Sequence, residues 1–297
     1  MLPGITKEMT GVPKVAYQLY LPDHWTSPVV FASPHSGRDY PWSFLRRTVL
    51  DEHSIRTSED AYVDRLFEAA PTFGASFLKA GAPRAFVDLN RAQDEFDPAL
   101  IEGVRRQGHN PRIASGLGVI PRVVAGGRAI YRGKLPMQEA QARIDEFWLP
   151  YHEQLQTLLH GAKMRFGQAI LVDCHSMPHE AVESIARAGA RRPEIVIGDR
   201  FGASAGAEVV DQIERAFVQA GLCVVRNSPF AGAYICQNYG RPSKQQHAIQ
   251  IEIDRSIYMN EQTIRPNNNF QNFRKVLRGV IAEIAAIGAQ DVPLAAE

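Results

Sequence analysis

The chain has 297 residues, 45% of them hydrophobic, and its 33 basic and 32 acidic residues give a formal net charge of +1. This composition permits a large buried core, and the balanced charge argues against general binding to nucleic acid or to an anionic membrane surface. The three cysteines are odd in number and lack CxxC spacing, which argues against a disulfide framework and a structural zinc knuckle. With no apolar run long enough to span a bilayer and no signal-like N-terminus, the expected location is the cytoplasm.

Apolar runs alternate along the chain with segments whose apolar residues recur at helical spacing. This alternation predicts an α/β fold in which helices flank a mostly parallel mixed sheet. We interpret residues 1–297 as a single domain. The predicted strands lie at residues 29–32, 75–79, 85–89, 169–174, 195–198, 223–226 and 247–253.

Three long helices are predicted between and after these strands. The first covers residues 136–164 and should bend or split at Pro150, because proline cannot donate a helix hydrogen bond. The second covers residues 204–220 and ends at Gly221, a residue type that favours the left-handed C-terminal cap. The third covers residues 271–287 and carries one apolar face, which predicts core packing.

Residues 101–133 are rich in glycine and arginine and contain few long apolar runs. They are interpreted as an extended insertion, because long segments of this kind in compact domains are often lids or binding loops. We expect the insertion to form part of a substrate wall. Arg122 or Arg128 is the candidate for binding a side-chain carboxylate.

Two predicted strands end in a histidine followed by a serine: His35 with Ser36, and His175 with Ser176. Open α/β sheets keep their ligand sites at the carboxyl ends of strands, and neutral imidazole is the commonest metal ligand. The two histidines are therefore predicted to bind one metal ion. Capping or core histidines are the alternative interpretation.

A hydrolytic metal site also needs a third ligand. Asp60 and Glu59 open a helix-like segment downstream of His35, and Asp39 lies closer to that histidine in sequence. Acidic residues are also favoured in a first helical turn for purely structural reasons. Asp60 is our assignment, with Glu59 and Asp39 as alternatives.

The candidate general base is Glu252. Alternation along the strand at 247–253 places Glu252 on the face opposite the isoleucines, so it projects from a strand whose other face is buried. A glutamate beside a metal-bound water can take its proton. A solvent-facing polar stripe would produce the same pattern.

Asn90 and Arg91 follow the strand predicted at residues 85–89. An amide and a guanidinium match the geometry of a carboxylate, which indicates an acidic small-molecule partner. Arg91 would otherwise bond an internal carboxylate such as Asp88 or Asp94. Arg255 likewise either holds the substrate or pairs with its neighbour Asp254.

Four motifs occur in order between about Val29 and Met259: Ser-Pro-His-Ser-Gly-Arg, Val-Asp-Leu-Asn-Arg, Asp-Cys-His-Ser-Met-Pro and Ile-Gln-Ile-Glu-Ile-Asp-Arg-Ser-Ile-Tyr-Met. Together they resemble the N-formylglutamate amidohydrolase family. The resemblance implies a zinc exopeptidase-like fold, one zinc ion per chain, and hydrolysis of N-formyl-L-glutamate to formate and L-glutamate. It also implies the site residues: metal ligands His35, Asp60 and His175, catalytic Glu252 and Arg91, and substrate-binding Asn90, Arg91, Ser176 and Arg255.

The chain departs from the related patterns at two positions. Arg38 stands where zinc carboxypeptidases, to which the family is related, would place a glutamate ligand, so the third ligand moves to Asp60 or Glu59. Ala233 fills the second place of an expected glycine pair. This second departure bears on which acyl group is cleaved more than on the class of reaction.

Other functions fit the same residues. A non-catalytic protein that binds an acidic metabolite without metal is one alternative, and a deacylase for another N-acyl amino acid or a short peptide is a second. A cysteine hydrolase based on Cys174 is disfavoured, because that residue is embedded in an apolar strand and buried cysteines are usually inert.

Overall fold

A computed structural model describes residues 15–105, 110–183 and 191–289. The internal contacts of the chain fall into two compact units, and each is made of several chain segments. The single domain inferred for residues 1–297 stays a prediction. Unit 1 contains Met1–Gln18, Pro34–Ala61 and Lys79–Gln154, and unit 2 contains Leu19–Ser33, Tyr62–Leu78 and Leu155–Glu297.

A seven-stranded sheet has the strand order β1-β3-β2-β6-β9-β7-β8, and two two-stranded ribbons, β4 with β5 and β10 with β11, accompany it in the described residues. Strand β6 pairs in parallel with both β2 and β9, and β7 pairs in parallel with β8. Strand β7 runs antiparallel to β9, so the sheet is mixed. The strands are β1 Tyr17–Tyr20, β2 Val29–Ser33, β3 Ser76–Ala80, β4 Val123–Val124, β5 Arg128–Ala129, β6 Ala169–Met177, β7 Ile195–Gly198, β8 Val224–Arg226, β9 Gln246–Asp254, β10 Met259–Asn260 and β11 Arg265–Pro266.

The central strands are buried along their whole length. Every residue of β2 and β6 is buried, and so is every residue of β9 after the first. Strands covered on both faces read as continuous apolar runs, which is why their positions could be predicted from sequence. The fold class is confirmed: an α/β protein with a mostly parallel mixed sheet and flanking helices.

Helices alternate with these strands along the chain, and a π-helix, Ile144–Trp148, joins α4 to α5. The long amphipathic helices α7 and α9 bury their apolar faces and pack against each other. The α-helices are α1 Trp42–Leu45, α2 Val63–Leu66, α3 Pro111–Ala114, α4 Met137–Arg143, α5 Leu149–Phe166, α6 His179–Glu183, α7 Ala207–Gln219, α8 Tyr234–Tyr239 and α9 Phe270–Ala285; the 3-10 turns are Ser54–Arg56, Ala70–Phe73, Ala125–Gly127, Pro242–Lys244 and Arg255–Ile257.

Three predictions about elements need correction. Residues 85–89 are buried but form turns instead of a strand, because their backbone groups bond to side chains and loops. The helical segment after Asp60 is only one turn long. Pro150 does not split its helix, because α5 continues through it and the π-helix lies just before α5; the alternative of a bend stays a prediction.

The structure also describes Gly221 and the predicted insertion at residues 101–133. Gly221 follows α7 with a φ of 84°, as the predicted left-handed cap requires. The predicted insertion at 101–133 belongs to unit 1, and its described residues include α3 and the β4–β5 ribbon. Among the described residues, no helix combines the length and apolar character needed to cross a bilayer.

Candidate metal centre and catalytic site

His35 lies in the turn that follows β2, two residues before Gly37. A Cβ atom on Gly37 would stand 2.0 Å from the carbonyl oxygen of Ala82, so only glycine lets the turn approach that backbone. The backbone N–H of Asp60 donates to the carbonyl of His35 at 3.0 Å. This bond brings two residues 25 positions apart in sequence to the same place in unit 1.

The imidazole of His35 lies between two aspartates. Its Nε2 is 2.7 Å from Oδ1 of Asp88, and its Nδ1 is 3.4 Å from Oδ2 of Asp60. All three side chains are buried. A histidine whose Nε2–H donates to a carboxylate presents Nδ1 as the ligand atom, which is the arrangement common in metal sites.

Asp88 is held as an anion by its surroundings. Burial alone would raise the pKa of its carboxyl, but His35, Arg84 and Arg91 together hold that pKa well below its usual value. Arg84 Nε donates to Asp88 Oδ2 at 3.1 Å. Asp88 is therefore a charged acceptor for the ring of His35.

Glu59 is engaged elsewhere. Arg56 donates to both of its carboxylate oxygens, at 2.9 and 3.0 Å, and the hydroxyl of Tyr40 donates at 2.6 Å. Burial, followed by the neighbouring Glu59 carboxylate, raises the pKa of Tyr40 well above its usual value. Glu59 is thus a structural anchor, and this favours Asp60 as the third ligand.

His175 has a carboxylate partner in its own strand. Its Nε2 is 2.9 Å from Oδ2 of Asp173, two residues earlier on the same face of β6. Both residues are buried. The two predicted histidines therefore share one local design, in which an aspartate engages Nε2.

Glu252 faces His175 across the sheet. In the parallel register of β6 and β9, His175 pairs with Glu252 and Asp173 pairs with Gln250, so the four side chains share one face. The amide of Gln250 donates from Nε2 to Glu252 Oε1 at 2.8 Å and accepts at Oε1 from the backbone N–H of Ala233 at 3.0 Å. Glu252 is thus a buried, oriented carboxylate beside His175.

The structure brings together the potential metal ligands that the sequence analysis selected. The ligand atoms of His35, Asp60 and His175 lie within 4.8 Å of one another, and all three residues are buried. Two imidazoles and one carboxylate are a typical donor set for a catalytic zinc site with a position left for water. The observed residues therefore fit the metal that the family resemblance implies.

Ser176 and Arg255, both predicted to bind substrate, contact each other. Arg255 Nε donates to Ser176 Oγ at 3.1 Å, and Arg255 Nη2 donates to the Ser176 carbonyl at 3.4 Å. Asp254, the alternative partner of Arg255, contacts a different residue: its Oδ2 is 2.7 Å from Nδ1 of His179. Arg255 is thus fixed beside the end of β6.

Asn90 and Arg91 lie in a buried turn of unit 1. The backbone N–H of Asn90 donates to Asp88 Oδ1 at 2.8 Å, which joins this segment to the carboxylate that engages His35. Arg91 donates from Nη1 to the Asn90 carbonyl and from Nε to the Leu117 carbonyl, both at 2.9 Å. Burial, the first cause, lowers the pKa of the Arg91 guanidinium, while the nearby Asp88 opposes the shift.

The two arginines of the insertion have internal partners. Arg122 Nε donates to Asp97 Oδ2 at 2.7 Å, and Arg128 donates to the hydroxyls of Ser54 and Thr57 at 2.8 and 3.0 Å. These contacts give both side chains structural roles within unit 1.

Cys174 does not have the properties of a nucleophile. It is fully buried, and burial together with the adjacent Asp173 carboxylate raises the pKa of its thiol well above the usual value. Ala233 is also accommodated, because as the N-cap residue before α8 it has a φ of −105°, whereas Gly232 has a φ of 104°. The backbone thus requires glycine only at the first position of the expected pair.

Sequence reasoning missed the contacts that three residues make with the candidate site residues: those of Asp88, Asp173 and Gln250. Asp173 could have been found, because it lies two positions before His175 in a predicted strand. The alternation of residues 247–253 puts Gln250 on the same face as Glu252, but no local pattern indicates the hydrogen bond between them. Asp88 was considered only as a partner for Arg91, and its contact with His35 depends on folding across more than fifty residues.

The chain is similar to known proteins over most of its length. A family model described as N-formylglutamate amidohydrolase matches residues 27–259. An N-formylglutamate deformylase of Pseudomonas aeruginosa is 30% identical over 260 residues, covering 86% of this chain and 91% of the relative. A second one, of Pseudomonas putida, is 28% identical over 237 residues, covering 79% of this chain and 82% of the relative. The crystal structure of an N-formylglutamate amidohydrolase from Ralstonia eutropha superposes with a TM-score of 0.85 at 35% identity, covering 91% and 97% of the two chains.

Fold and site together define a class: α/β proteins in which a mostly parallel sheet carries a buried group of histidine and carboxylate side chains that could hold a metal, beside a glutamate. Within that class, the match over residues 27–259 is decisive. The chain belongs to the N-formylglutamate amidohydrolase family.

Proposed function

We propose that this protein is a zinc-dependent amidohydrolase that converts N-formyl-L-glutamate and water into formate and L-glutamate. The grouping of His35, Asp60 and His175 carries the proposal. The substrate is taken from the named activity of relatives that align over most of their length.

His35, Asp60 and His175 would hold one zinc ion, with Asp88 and Asp173 orienting the two rings. When bound, zinc supplies Lewis acidity, which lowers the pKa of water and polarises the formyl carbonyl.

Glu252 is the proposed general base and acid. Its carboxylate accepts a proton from the attacking water and then delivers it to the nitrogen of the departing amine. Gln250 orients this carboxylate by donating from Nε2 to Glu252 Oε1. Arg91 is the proposed cationic group for the developing negative charge on the carbonyl oxygen.

Asn90 and Arg91 are proposed to bind the α-carboxylate, and Ser176 with Arg255 to bind the rest of the acidic substrate. A guanidinium in a buried site binds a carboxylate strongly because both partners are removed from water. All four residues are buried, which suits a small ligand enclosed by protein. The cytoplasm is the proposed location, since the three cysteines form no disulfide.

The test combines metal content with turnover. We expect stoichiometric zinc by elemental analysis after purification without chelator, and formate release from N-formyl-L-glutamate. The Glu252→Gln variant should retain zinc yet lose about 10²- to 10⁴-fold in kcat, since only proton transfer is removed. His175→Ala should lose both metal and activity. A metal-free chain that binds glutamate without turnover would instead favour a binding protein.

The third ligand is tested by three matched variants. Asp60→Asn should lose zinc, whereas Glu59→Gln and Asp39→Asn should retain it. A panel of N-acyl amino acids with formyl, acetyl and succinyl groups then tests the acyl group. Faster hydrolysis of another acyl donor would keep the amidohydrolase and overturn the assigned substrate.

A further inference from the structure

The segment that carries Asn90 and Arg91 is held by the side chains of one continuous helical stretch in unit 1. Three carbonyls of residues 86–91 each accept a hydrogen bond from a different side chain. The donors are Arg143 Nη1 to Phe86 at 3.0 Å, His152 Nε2 to Leu89 at 2.9 Å, and Trp148 Nε1 to Arg91 at 2.9 Å.

All three donors are buried, with exposed fractions of 4%, 6% and 5% for Arg143, Trp148 and His152. A buried polar group without a hydrogen bond costs free energy, so each of these three bonds stabilises the folded chain. The ring of His152 also stacks on Trp148 with a centroid separation of 3.9 Å. Arg143 lies over the ring of Phe86 at 4.1 Å.

The π-helix accounts for this alignment. Residues five apart in an α-helix point about 140° away from each other, so Arg143 and Trp148 would face different directions in a regular helix. The wider turn of Ile144–Trp148 brings residues five apart toward one face. Trp148 and His152, four apart, share that face in the ordinary way.

We propose that Trp148 and His152, with Arg143, are positioning residues that set the direction of the Asn90 and Arg91 side chains. By fixing the Leu89 and Arg91 carbonyls, they fix the peptide planes from which Asn90 and Arg91 project. This inference rests on the proposed function, in which Asn90 and Arg91 bind the α-carboxylate of the substrate.

The first experiment replaces Trp148 by phenylalanine, which keeps an aromatic ring but removes the indole N–H. The expected result is a fall of roughly tenfold in kcat/KM for N-formyl-L-glutamate, through a higher KM and, because Arg91 is also the proposed group for the carbonyl oxygen, a lower kcat, with zinc content changed less than about twofold. Trp25→Phe is the matched control, because the indole N–H of Trp25 is buried and has no hydrogen-bond partner among the described residues. An unchanged KM in Trp148→Phe would overturn the proposal.

His152 provides a second pair that keeps the proposal testable if Trp148→Phe fails to fold. His152→Gln retains an N–H donor near the Nε2 position, whereas His152→Leu removes it. The proposal expects His152→Gln to preserve KM and His152→Leu to raise it. Equal KM values in the two variants would contradict a positioning role.

A double-mutant cycle separates this inference from the proposed function. If Trp148 acts through Arg91, the effects of Trp148→Phe and Arg91→Lys on KM will be non-additive, because the second change finds the interaction already lost. Additive effects would overturn the inference while leaving the function intact. A wild-type chain that turns over substrate while Arg91→Lys leaves KM unchanged would instead overturn the proposed role of Arg91.

Discussion

At the scale of single residues, the two histidines are controlled by carboxylates. Asp88 engages Nε2 of His35 and Asp173 engages Nε2 of His175, at 2.7 and 2.9 Å. A histidine that donates from Nε2–H to a carboxylate presents Nδ1 as its free ligand atom. We therefore expect zinc binding to depend on two aspartates outside the proposed ligand set.

Replacing Asp88 by asparagine tests this dependence. The amide has no negative charge to support His35, so zinc affinity should fall by about 10- to 100-fold while the fold is retained. The affinity is measured by competition with a chromogenic chelator. Asp97→Asn is the matched control, because Asp97 is an equally buried aspartate that pairs with Arg122 at 2.7 Å. Equal loss of affinity in both variants would indicate general damage to unit 1.

At the scale of elements, the sequence predicted well those strands whose positions a local residue pattern determines. Strands β2 and β6 begin as apolar runs and β9 alternates isoleucine with polar residues, so their positions and the polar residues they carry could be read from sequence. Residues 85–89 look similar in sequence, yet they form a buried turn. Their backbone carbonyls bond to side chains more than fifty residues away, and no local pattern reports such partners.

The π-helix was missed for a related reason. Pro150 indicated a disruption, because it cannot donate to the carbonyl of Glu146 four residues earlier. Sequence alone did not tell whether the helix would bend, split or widen. The structure widens at Ile144–Trp148, and the contacts of Arg143 and Trp148 with the turn at 86–91 stabilise that choice.

His152 gives this helical element a pH dependence. Burial lowers its pKa from 6.5 to about 4 despite its bond to Leu89. Between these values the unfolded chain binds more protons than the folded one, so the free energy of unfolding decreases as pH falls from 6.5 toward 4. The full loss is about 3 kcal/mol by linkage. Urea unfolding of the zinc-free protein at several pH values should show this slope.

The His152→Gln variant isolates the contribution. Glutamine does not titrate, so the difference in unfolding free energy between wild type and variant should be constant above pH 7 and shrink below pH 6.5. A difference that stays constant down to pH 4 would contradict the assignment. Because both proteins are measured without zinc, protonation of the metal ligands is common to both and cancels.

At the scale of the whole molecule, the proposed ligands come from distant parts of the chain, at positions 35, 60 and 175. A metal that binds only the folded chain raises the free energy of unfolding, and the increase grows with the ratio of the metal concentration to its Kd. The proposed ligands would therefore contribute to both catalysis and stability. Family membership over residues 27–259 and the balanced charge are consistent with a small acidic substrate recognised by local groups instead of a global field.

Metal removal should therefore lower the melting temperature as well as activity. With free zinc at about a thousand times Kd, the stabilisation is about 4 kcal/mol, which for a chain of this size is roughly 5–10 °C in Tm. Dialysis against chelator should lower Tm by that amount, and added zinc should restore it together with formate release. His175→Ala should melt at the same temperature with and without zinc, because its ligand set is incomplete. A wild-type Tm that does not change when zinc is removed would mean that the three side chains do not share a metal ion.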